Sequence, residues 1–406
     1  MYPVAQETEL SNLLGEPESG VSPQVLTASQ ALQQVWAANP QILEAQLAIQ
    51  AAGYDVTGSW GGFLPSVAVT NLSGDGAVSS VQASLPLWSG GVTLAQIRAS
   101  EAREVIAHAN LDKVRLDLGL RTIAAFHGMA QAQEQADQCV AYINALDALR
   151  ATILRRKEQG VARESEVRTA ESRVQQAQVE QESVQLQLIR SRNELQELLQ
   201  ISPQRVESSD PAAALKSILP IDETKAVEHN PDVLIAAARI AERTEMAKQA
   251  RAQLSPEIAV QYRHYYDGRA FDETADTPQL VVQYQVGSTF TNWQKKKAEE
   301  ARAEAAKSGL ETAKRNAAAR LVDARQRTVS ASRQVLLQQQ AADSTQALVE
   351  SFLRQYQAGN RSWIEVLNGQ REAHESALGL ISARRSLAQS QHQLILQSLA
   401  WNALGR

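Results

Sequence analysis

Two long proline-free stretches constrain the fold more than any other feature of the sequence. The first runs from Gly91 to Gln159 and the second from about Asn292 to Ala358. Because an α-helix rises 1.5 Å per residue, about 70 helical residues reach on the order of 100 Å. Ordinary globular domains have no need of such rods. Aromatic residues make up only 5% of the chain and many apolar residues are alanine, which favours long helices packed through small side chains.

The chain contains an internal duplication. Asn39-Pro40 recurs as Asn230-Pro231, and a further proline follows each pair at the same distance, at Pro65 and Pro256. A second set of landmarks, "EQGVARESEV" and "QAGNRSWIEV", recurs with nearly the same offset. Each half therefore predicts a helix, two extended stretches, a very long helix, a glycine break and another long helix.

The extended stretches carry the alternation of half-buried strands. Val67 and Val69 alternate with small or polar neighbours in the first half, as do Ile258, Val260 and Tyr262 in the second. Strands of about nine or ten residues suit a tilted transmembrane β-strand. One chain offers only four of them, so several chains would have to pool their strands into a closed barrel in lipid. An exposed hairpin on a soluble protein is the alternative.

The second helix of each pair has a heptad seam in which many positions are Ala, Gly, Ser or Gln. Small residues let helices lie close together in a curved wall, whereas an ordinary antiparallel coiled coil is the alternative. The seam positions are Val167, Ala170, Val174, Ala177, Gln181, Val184, Leu188, Ser191, Leu195 and Leu198 in the first half, and Val366, Gly369, Ala373, Ser376, Leu380, Ala383, Leu387, Ser390, Leu394 and Gln397 in the second.

Composition excludes several classes of function. The formal net charge of −5 gives no indication of nucleic-acid binding, and the single cysteine, Cys139, excludes an internal disulfide and a Cys-based zinc cluster. The six histidines are scattered and form no recognised metal or catalytic motif, so we expect neither an enzyme nor a cofactor. The start of the chain does not read as a signal peptide, which leaves a cytosolic protein or a mature form with its leader replaced.

Taken together, the motifs resemble those of the TolC family of outer-membrane channels. They are "NPQILEA" and "NPDVLIA", the strand-to-helix passage "LPLWSGGVTLAQIRASEA", "GVARESEV", and "YQAGNRSWIEVLNGQREAHESALGLISARRSLAQSQHQLI". The resemblance covers nearly the whole chain. The second passage, "VGSTFTNWQKKKAEEA", lacks the proline and the glycine pair of the first. The sequence also lacks the N-terminal cysteine of lipid-anchored relatives, so no acyl anchor is expected.

The resemblance implies a mainly α fold with a small β part. Duplicated long α-helical hairpins would form a trimeric α-barrel, and four strands per chain would contribute to a twelve-stranded transmembrane β-barrel. The expected organisation is an N-terminal extended segment (1–28), a first-half helix (29–64), a first transmembrane β-hairpin (65–90), a first long helical hairpin (91–200), an inter-repeat equatorial linker (201–220), a second-half helix (221–255), a second transmembrane β-hairpin (256–289), a second long helical hairpin (290–400) and a C-terminal tail (401–406).

The resemblance also implies where the functional residues lie. Glu365 and Asn368 share one helix face and would form rings at the closed periplasmic aperture, although the family has an acid where Asn368 stands. Tyr356, Arg361 and Glu166 would latch the gate, with Arg361 bridging to Glu166 on the neighbouring hairpin. The expected adaptor-docking tips are Gly160, Val161, Ala162, Ala358, Gly359 and Asn360. Alternatively, these are ordinary turn and cap residues.

The resemblance therefore implies a homotrimeric channel in the outer membrane of a Gram-negative bacterium, extending into the periplasm. Its expected partners are outer-membrane lipid, a periplasmic adaptor, an inner-membrane ABC transporter reached through the adaptor, and a secreted protein cargo. The segment from Ser362 to Leu404 looks closest to the branch that serves type I secretion of large adhesins. A multidrug or metal efflux channel is the first alternative, and a soluble coiled-coil or adaptor protein is the second.

Overall fold

The computed structural model describes residues 25–71, 79–207, 211–212, 215–216, 221–265, 277–284 and 289–399. The expected turn at 74–76, most of the acidic loop at 267–278, the first 24 residues and the tail lie outside the described residues. The elements in chain order are β1 (Val25–Leu26), α1 (Ala28–Ala38), α2 (Pro40–Ser59), β2 (Ser66–Asn71), β3 (Ser79–Trp88), α3 (Val92–Glu158), α4 (Glu164–Leu199), β4 (Arg205–Val206), α5 (Glu223–Glu228), α6 (Pro231–Ala252), β5 (Glu257–Tyr265), β6 (Gln279–Gln283), α7 (Thr289–Gln357) and α8 (Trp363–Gln397).

The predicted rods are present. Helix α3 has 67 residues and α7 has 69, so each is about 100 Å long. The fold class is thus confirmed as mainly helical, with two long hairpins, α3–α4 and α7–α8. Among the described residues, none of the helices is both long enough and apolar enough to span a membrane.

The prediction of a single helix in front of each β-hairpin is wrong in both halves. Two helices lie there instead, and the second of them starts at the Asn-Pro pair. The Asn39 side chain accepts a hydrogen bond from Gln41 N at 3.0 Å, and Pro40 occupies the first turn of α2. Asn230 does the same for Asp232 N in front of α6. Proline is tolerated at a helix start because its missing N–H is not needed there, but it ends any preceding helix.

Four helical layers form a wall in the order α2 and α4, then α3, then α6 and α8, then α7. Helices α3 and α7 run the full length, whereas the other two layers are each built from two helices that pack along the same rod. Asn39 Nδ2 donates to Leu198 O at 3.1 Å, which joins the end of α4 to the start of α2. The wall therefore has two continuous rods and two layers that change helix part-way.

The seam residues account for the packing of α4 and α8. All twenty are buried or half-buried, so the heptad pattern is confirmed as the buried face of both helices. The main core lies where the two layers change helix, and α1, α3, α4 and α8 all contribute to it. Its largest fully buried side chains include Leu32, Phe126, Met129, Leu195 and Ile395.

The four longer strands form one antiparallel sheet in the order β2-β3-β5-β6. Both hairpins contribute to it, because β3 of the first pairs with β5 of the second. A bulge lies between Pro86 and Trp88, where β3 approaches the helical wall. Strands β2 and β6 are the two edges of the sheet.

Candidate functional site at the hairpin tips

The two hairpin tips have the same backbone geometry. Gly160 and Gly359 have φ angles of 73° and 77°, the left-handed region in which glycine is free of strain. In the first tip Val161 N donates to Arg156 O, and in the second Asn360 N donates to Gln355 O, each at 2.9 Å. These bonds satisfy the last carbonyls of α3 and α7 and fix the turn into the returning helix.

Each returning helix begins with a carboxylate that caps it. Glu166 accepts a hydrogen bond from Arg163 N at 3.2 Å, and Glu365 accepts one from Ser362 N at 3.1 Å. Both acids stand at the third helical position, where a side chain can reach back to the free N–H groups of the helix start. The duplicated acids therefore have a local structural role in both hairpins.

Behind the tips, apolar side chains from both hairpins form one cluster, which we name the tip cluster. It joins the second hairpin to the first because residues of α7 and α8 pack directly against those of α3 and α4. Its members are Tyr142, Leu146, Leu149, Ile153, Val167, Ala170, Val174, Ala177, Tyr356, Trp363, Val366 and Leu367.

Arg156 makes a polar contact between the two hairpins at the edge of the tip cluster. Its guanidinium carbon lies 4.6 Å from the centroid of the Tyr356 ring, and its Nη1 donates to Tyr356 O at 3.5 Å. The ring itself is buried. Tyr356 therefore ties α7 to α3, and the residue it contacts, Arg156, was not among those expected from the sequence.

The expected bridge from Arg361 to Glu166 is not formed within the chain, where both residues are described. Arg361 Nε lies 3.4 Å from Glu365 Oε1 on its own helix start, and its guanidinium covers the Phe352 ring at 4.0 Å. The side chain of Glu166 is engaged by its own cap. An acid four residues after Arg361 is close without any rearrangement of the hairpins, which explains the local pairing.

The aperture candidates face away from the tip cluster. Glu365 and Asn368 are exposed on one side of α8, whereas Trp363, Val366 and Leu367 are buried on the other. Five of the six docking-tip residues are exposed as well. The sixth, Ala162, is half-buried and packs against the tip cluster.

The chain matches the family described as "Outer membrane efflux protein" over residues 31–199 and 224–397. The chain belongs to this family. The two matched ranges are the two halves of the duplication, and together they include every long helix of the wall. No curated protein sequence matches significantly.

Solved structures share the fold of this outer membrane efflux protein. CusC superimposes with a TM-score of 0.80 at 16% identity, covering 93% of this chain and 92% of CusC. A membrane protein from Pseudomonas aeruginosa has a TM-score of 0.76 at 17% identity, covering 95% and 98% of the two chains. The outer membrane protein VceC from Vibrio cholerae has a TM-score of 0.74 at 15% identity, covering 93% and 96%.

As a member of this family, the chain is a passive channel protein and not an enzyme. One pair of buried histidines joins two helices of the wall. His127 Nε2 and His392 Nδ1 lie 3.2 Å apart between α3 and α8, and burial, aided by His392 and Arg385, lowers the pKa of His127 to about 3. His127 is therefore neutral at ordinary pH, and its contact with His392 belongs to the packing of the wall.

A charged group ties three layers of the wall together nearer the sheet. Asp232 in the first turn of α6 binds Lys113 of α3 at 2.8 Å and Arg320 of α7 at 2.6 Å. Burial works against the charge, but the hydrogen bonds from both cations hold the pKa of Asp232 below its ordinary value. No sequence pattern indicates this network, because its members come from three separate helices.

Proposed function

We propose that three copies of this chain form an outer-membrane channel that extends into the periplasm and conducts its cargo passively. The single observation that carries the proposal is the two-faced sheet with two open edges. The helical wall and the tips supply further support, each from different residues.

The register of the sheet separates its residues into an apolar face and a polar face. Paired residues of adjacent strands share a face, so one row contains Leu85, Val260 and Leu280. The opposite face carries Gln82, to which Arg263 donates hydrogen bonds, the shorter at 2.8 Å. Val67, Val69, Val81, Tyr262 and Val282 share the apolar side by the same register. An apolar exterior and a polar interior are typical of transmembrane barrels.

The edges of the sheet suit closure by further copies. Strand direction alternates through β2, β3, β5 and β6, so β6 of one chain can pair antiparallel with β2 of the next. An even number of strands per chain preserves this alternation around a ring. Three chains would give twelve strands and leave no open edge in the lipid, where unpaired backbone groups cost several kcal/mol each.

Both outer layers of the helical wall expose apolar side chains. On α7, Val322, Val329 and Leu336 recur every seven residues and remain exposed. On the other flank, Val179 of α4 is 72% exposed and Leu47 of α2 is 54% exposed. Burying one such side chain contributes about 1.5–3 kcal/mol. Packing α7 of one copy against α2 and α4 of the next would cover both flanks.

Closure of the trimer would bring three tips together. Three copies of Glu365 would place a ring of carboxylates at the narrow end, with Asn368 as a neutral ring beside it. Converging negative charge attracts cations and repels anions. Tyr356 is then a gate residue because it contacts Arg156 of the other hairpin. Arg361 is a gate residue because it packs over the Phe352 ring beside the tip cluster. Glu166 caps the neighbouring turn.

The exposed tips are the proposed docking surface for a periplasmic adaptor. A Cβ added at Gly160 or Gly359 would meet no atom within 4 Å, so both tips leave room for a partner backbone to approach. Val161, Ala358 and Asn360 are exposed beside them. The adaptor would link the channel to an inner-membrane ABC transporter, which supplies the energy that a passive tube lacks.

For the cargo, we propose type I secretion of a large adhesin, on the resemblance of the segment from Ser362 to Leu404. The second candidate is an efflux pump, which the family description favours. A deletion strain separates the two. Loss of the adhesin from the cell surface with unchanged drug and metal tolerance supports secretion, and the reverse pattern supports efflux.

The channel proposal is tested by adding one charge to each face of the same strand. Val260→Lys puts a lysine on the apolar face, where it costs about 2–4 kcal/mol near the middle of a bilayer. Gln261→Lys is the matched control on the polar face. We expect Val260→Lys alone to reduce the trimer recovered from outer membranes, measured by light scattering in detergent. Equal recovery of both variants, or a wild-type monomer that needs no detergent, refutes the proposal.

A further inference from the structure

Three side chains of metal-binding type converge between the tip cluster and the main core. Cys139 comes from α3, Glu180 from α4 and His374 from α8. One ligand atom of each lies within 4.8 Å of the others, and His374 Nε2 is 3.3 Å from Glu180 Oε1. They stand on three different helices and lie far apart in the sequence, so no spacing motif reveals them.

The imidazole of His374 is held in place within this group. Its side chain is only 3% exposed, and the Tyr142 ring stacks on it at 4.2 Å with 8° between the planes. Its Nδ1 has no hydrogen-bond partner among the described residues. Leaving a buried polar atom without a partner costs about 1–3 kcal/mol. The nitrogen that faces the group is the other one, Nε2, which lies 3.3 Å from Glu180 Oε1 and is the candidate ligand atom.

We propose that Cys139, Glu180 and His374 bind one divalent cation of the zinc class, between the two hairpins of a single chain. A thiolate, an imidazole and a carboxylate are the ligand types that Zn²⁺ prefers, and a water molecule would complete a tetrahedron. A thiolate and a carboxylate together neutralise the charge of the cation. Binding would transfer the Cys139 thiol proton to solvent, so one proton is released for each ion bound.

The geometry requires only a small contraction. Bonds of about 2.0–2.3 Å place tetrahedral ligand atoms roughly 3.3–3.8 Å apart, against the present upper limit of 4.8 Å. The two buried ligands, Cys139 and His374, are fixed by the wall. The Glu180 side chain is 42% exposed and can close the site by a change of rotamer.

An ion at this position would fasten the first hairpin to the second. Cys139 and Glu180 belong to α3 and α4, whereas His374 belongs to α8. The ion would stabilise the arrangement in which these helices are together, by mass action. A consequence that rests on the proposed channel function is that Zn²⁺ would lower the open probability of the gate.

The binding test uses full-length protein in detergent, stripped with a chelator and titrated with Co²⁺. We expect a thiolate-to-cobalt charge-transfer band in the near ultraviolet that saturates at one ion per chain and is removed by Zn²⁺. Zn²⁺ should also raise the midpoint of thermal unfolding and release one proton. Cys139→Ser and Glu180→Gln should abolish the band. His108→Gln, an exposed histidine on the same helix as Cys139, should leave it unchanged.

The exposed position of Glu180 keeps the test valid even if Cys139→Ser folds poorly. Absence of the cobalt band in the wild-type protein overturns the proposal, as does a band that persists in Glu180→Gln and Cys139→Ser. The readouts are spectroscopic and calorimetric and need no channel activity. They therefore stand or fall separately from the proposed function, which the comparison of Val260→Lys with Gln261→Lys tests.

Discussion

Replacing Arg156 with alanine is expected to open the channel. The guanidinium lies over the buried Tyr356 ring at 4.6 Å, a cation–π contact worth about 0.5–2 kcal/mol. The hydrogen bond to Tyr356 O, at 3.5 Å, is too long to add much. In the proposed trimer, three copies together contribute about 1.5–6 kcal/mol to the closed state. Because 1.4 kcal/mol is a factor of ten, the open probability should rise at least about tenfold.

The assay is single-channel recording in planar bilayers, with Arg155→Ala as the matched control. Arg155 is the adjacent residue and is exposed. Among the hydrogen bonds described, its side chain makes one only, to Thr152 of its own helix. Arg156→Lys should open the channel less than Arg156→Ala, because an ammonium keeps part of the cation–π attraction although it lacks the planar group. Glu166→Ala should have less effect, since it removes only a local cap. Equal leak currents in Arg155→Ala and Arg156→Ala would refute this account.

The remaining two predictions concern pH and docking. The pKa of His127 is about 3 in the folded chain and 6.5 unfolded, so its contribution to stability is complete above pH 6.5 and falls as the pH drops towards 3. At pH 5 the loss is about 2 kcal/mol. We expect the midpoint of thermal unfolding to fall further between pH 7.5 and pH 5 in the wild type than in His127→Gln. Parallel pH profiles of the two proteins would contradict the prediction. Gly359→Trp should abolish transport while Gly359→Asn, which tolerates the same backbone, retains it; transport by both variants would exclude docking at this tip.

The long-range architecture could be predicted because it depends on interactions between residues that are close in the sequence. Helix formation, the heptad seam and the glycine breaks are all of this kind, and the duplication repeats each of them. Gly160 and Gly359 were identified as the breaks for this reason. The division of each first helix was missed because Asn-Pro was taken as a landmark of the repeat. The Asn39 cap and Pro40 at the first helical position make it a helix start.

The contacts between distant helices could not be predicted in the same way. Arg156 lies in a run of three basic residues at the end of α3, a composition that the helix dipole alone explains. Its partner, Tyr356, was predicted from the family resemblance as a residue that latches the gate. The family resemblance predicted a partner for Arg361 on the neighbouring hairpin, but Glu365, four residues away, is already within reach on the same helix start. The Asp232 network and the three-helix group at Cys139 likewise depend on which rods become neighbours.

The change of helix within two layers of the wall has a mechanical consequence. Below the junction marked by Asn39, α4 and α8 can tilt as a unit with the tips, while α2 and α6 stay with the sheet. Only α3 and α7 transmit torque between the two regions. Because the main core surrounds this junction, it can act as a fulcrum. In the proposed trimer, movements that widen the tips would then leave the strand pairing of the sheet undisturbed.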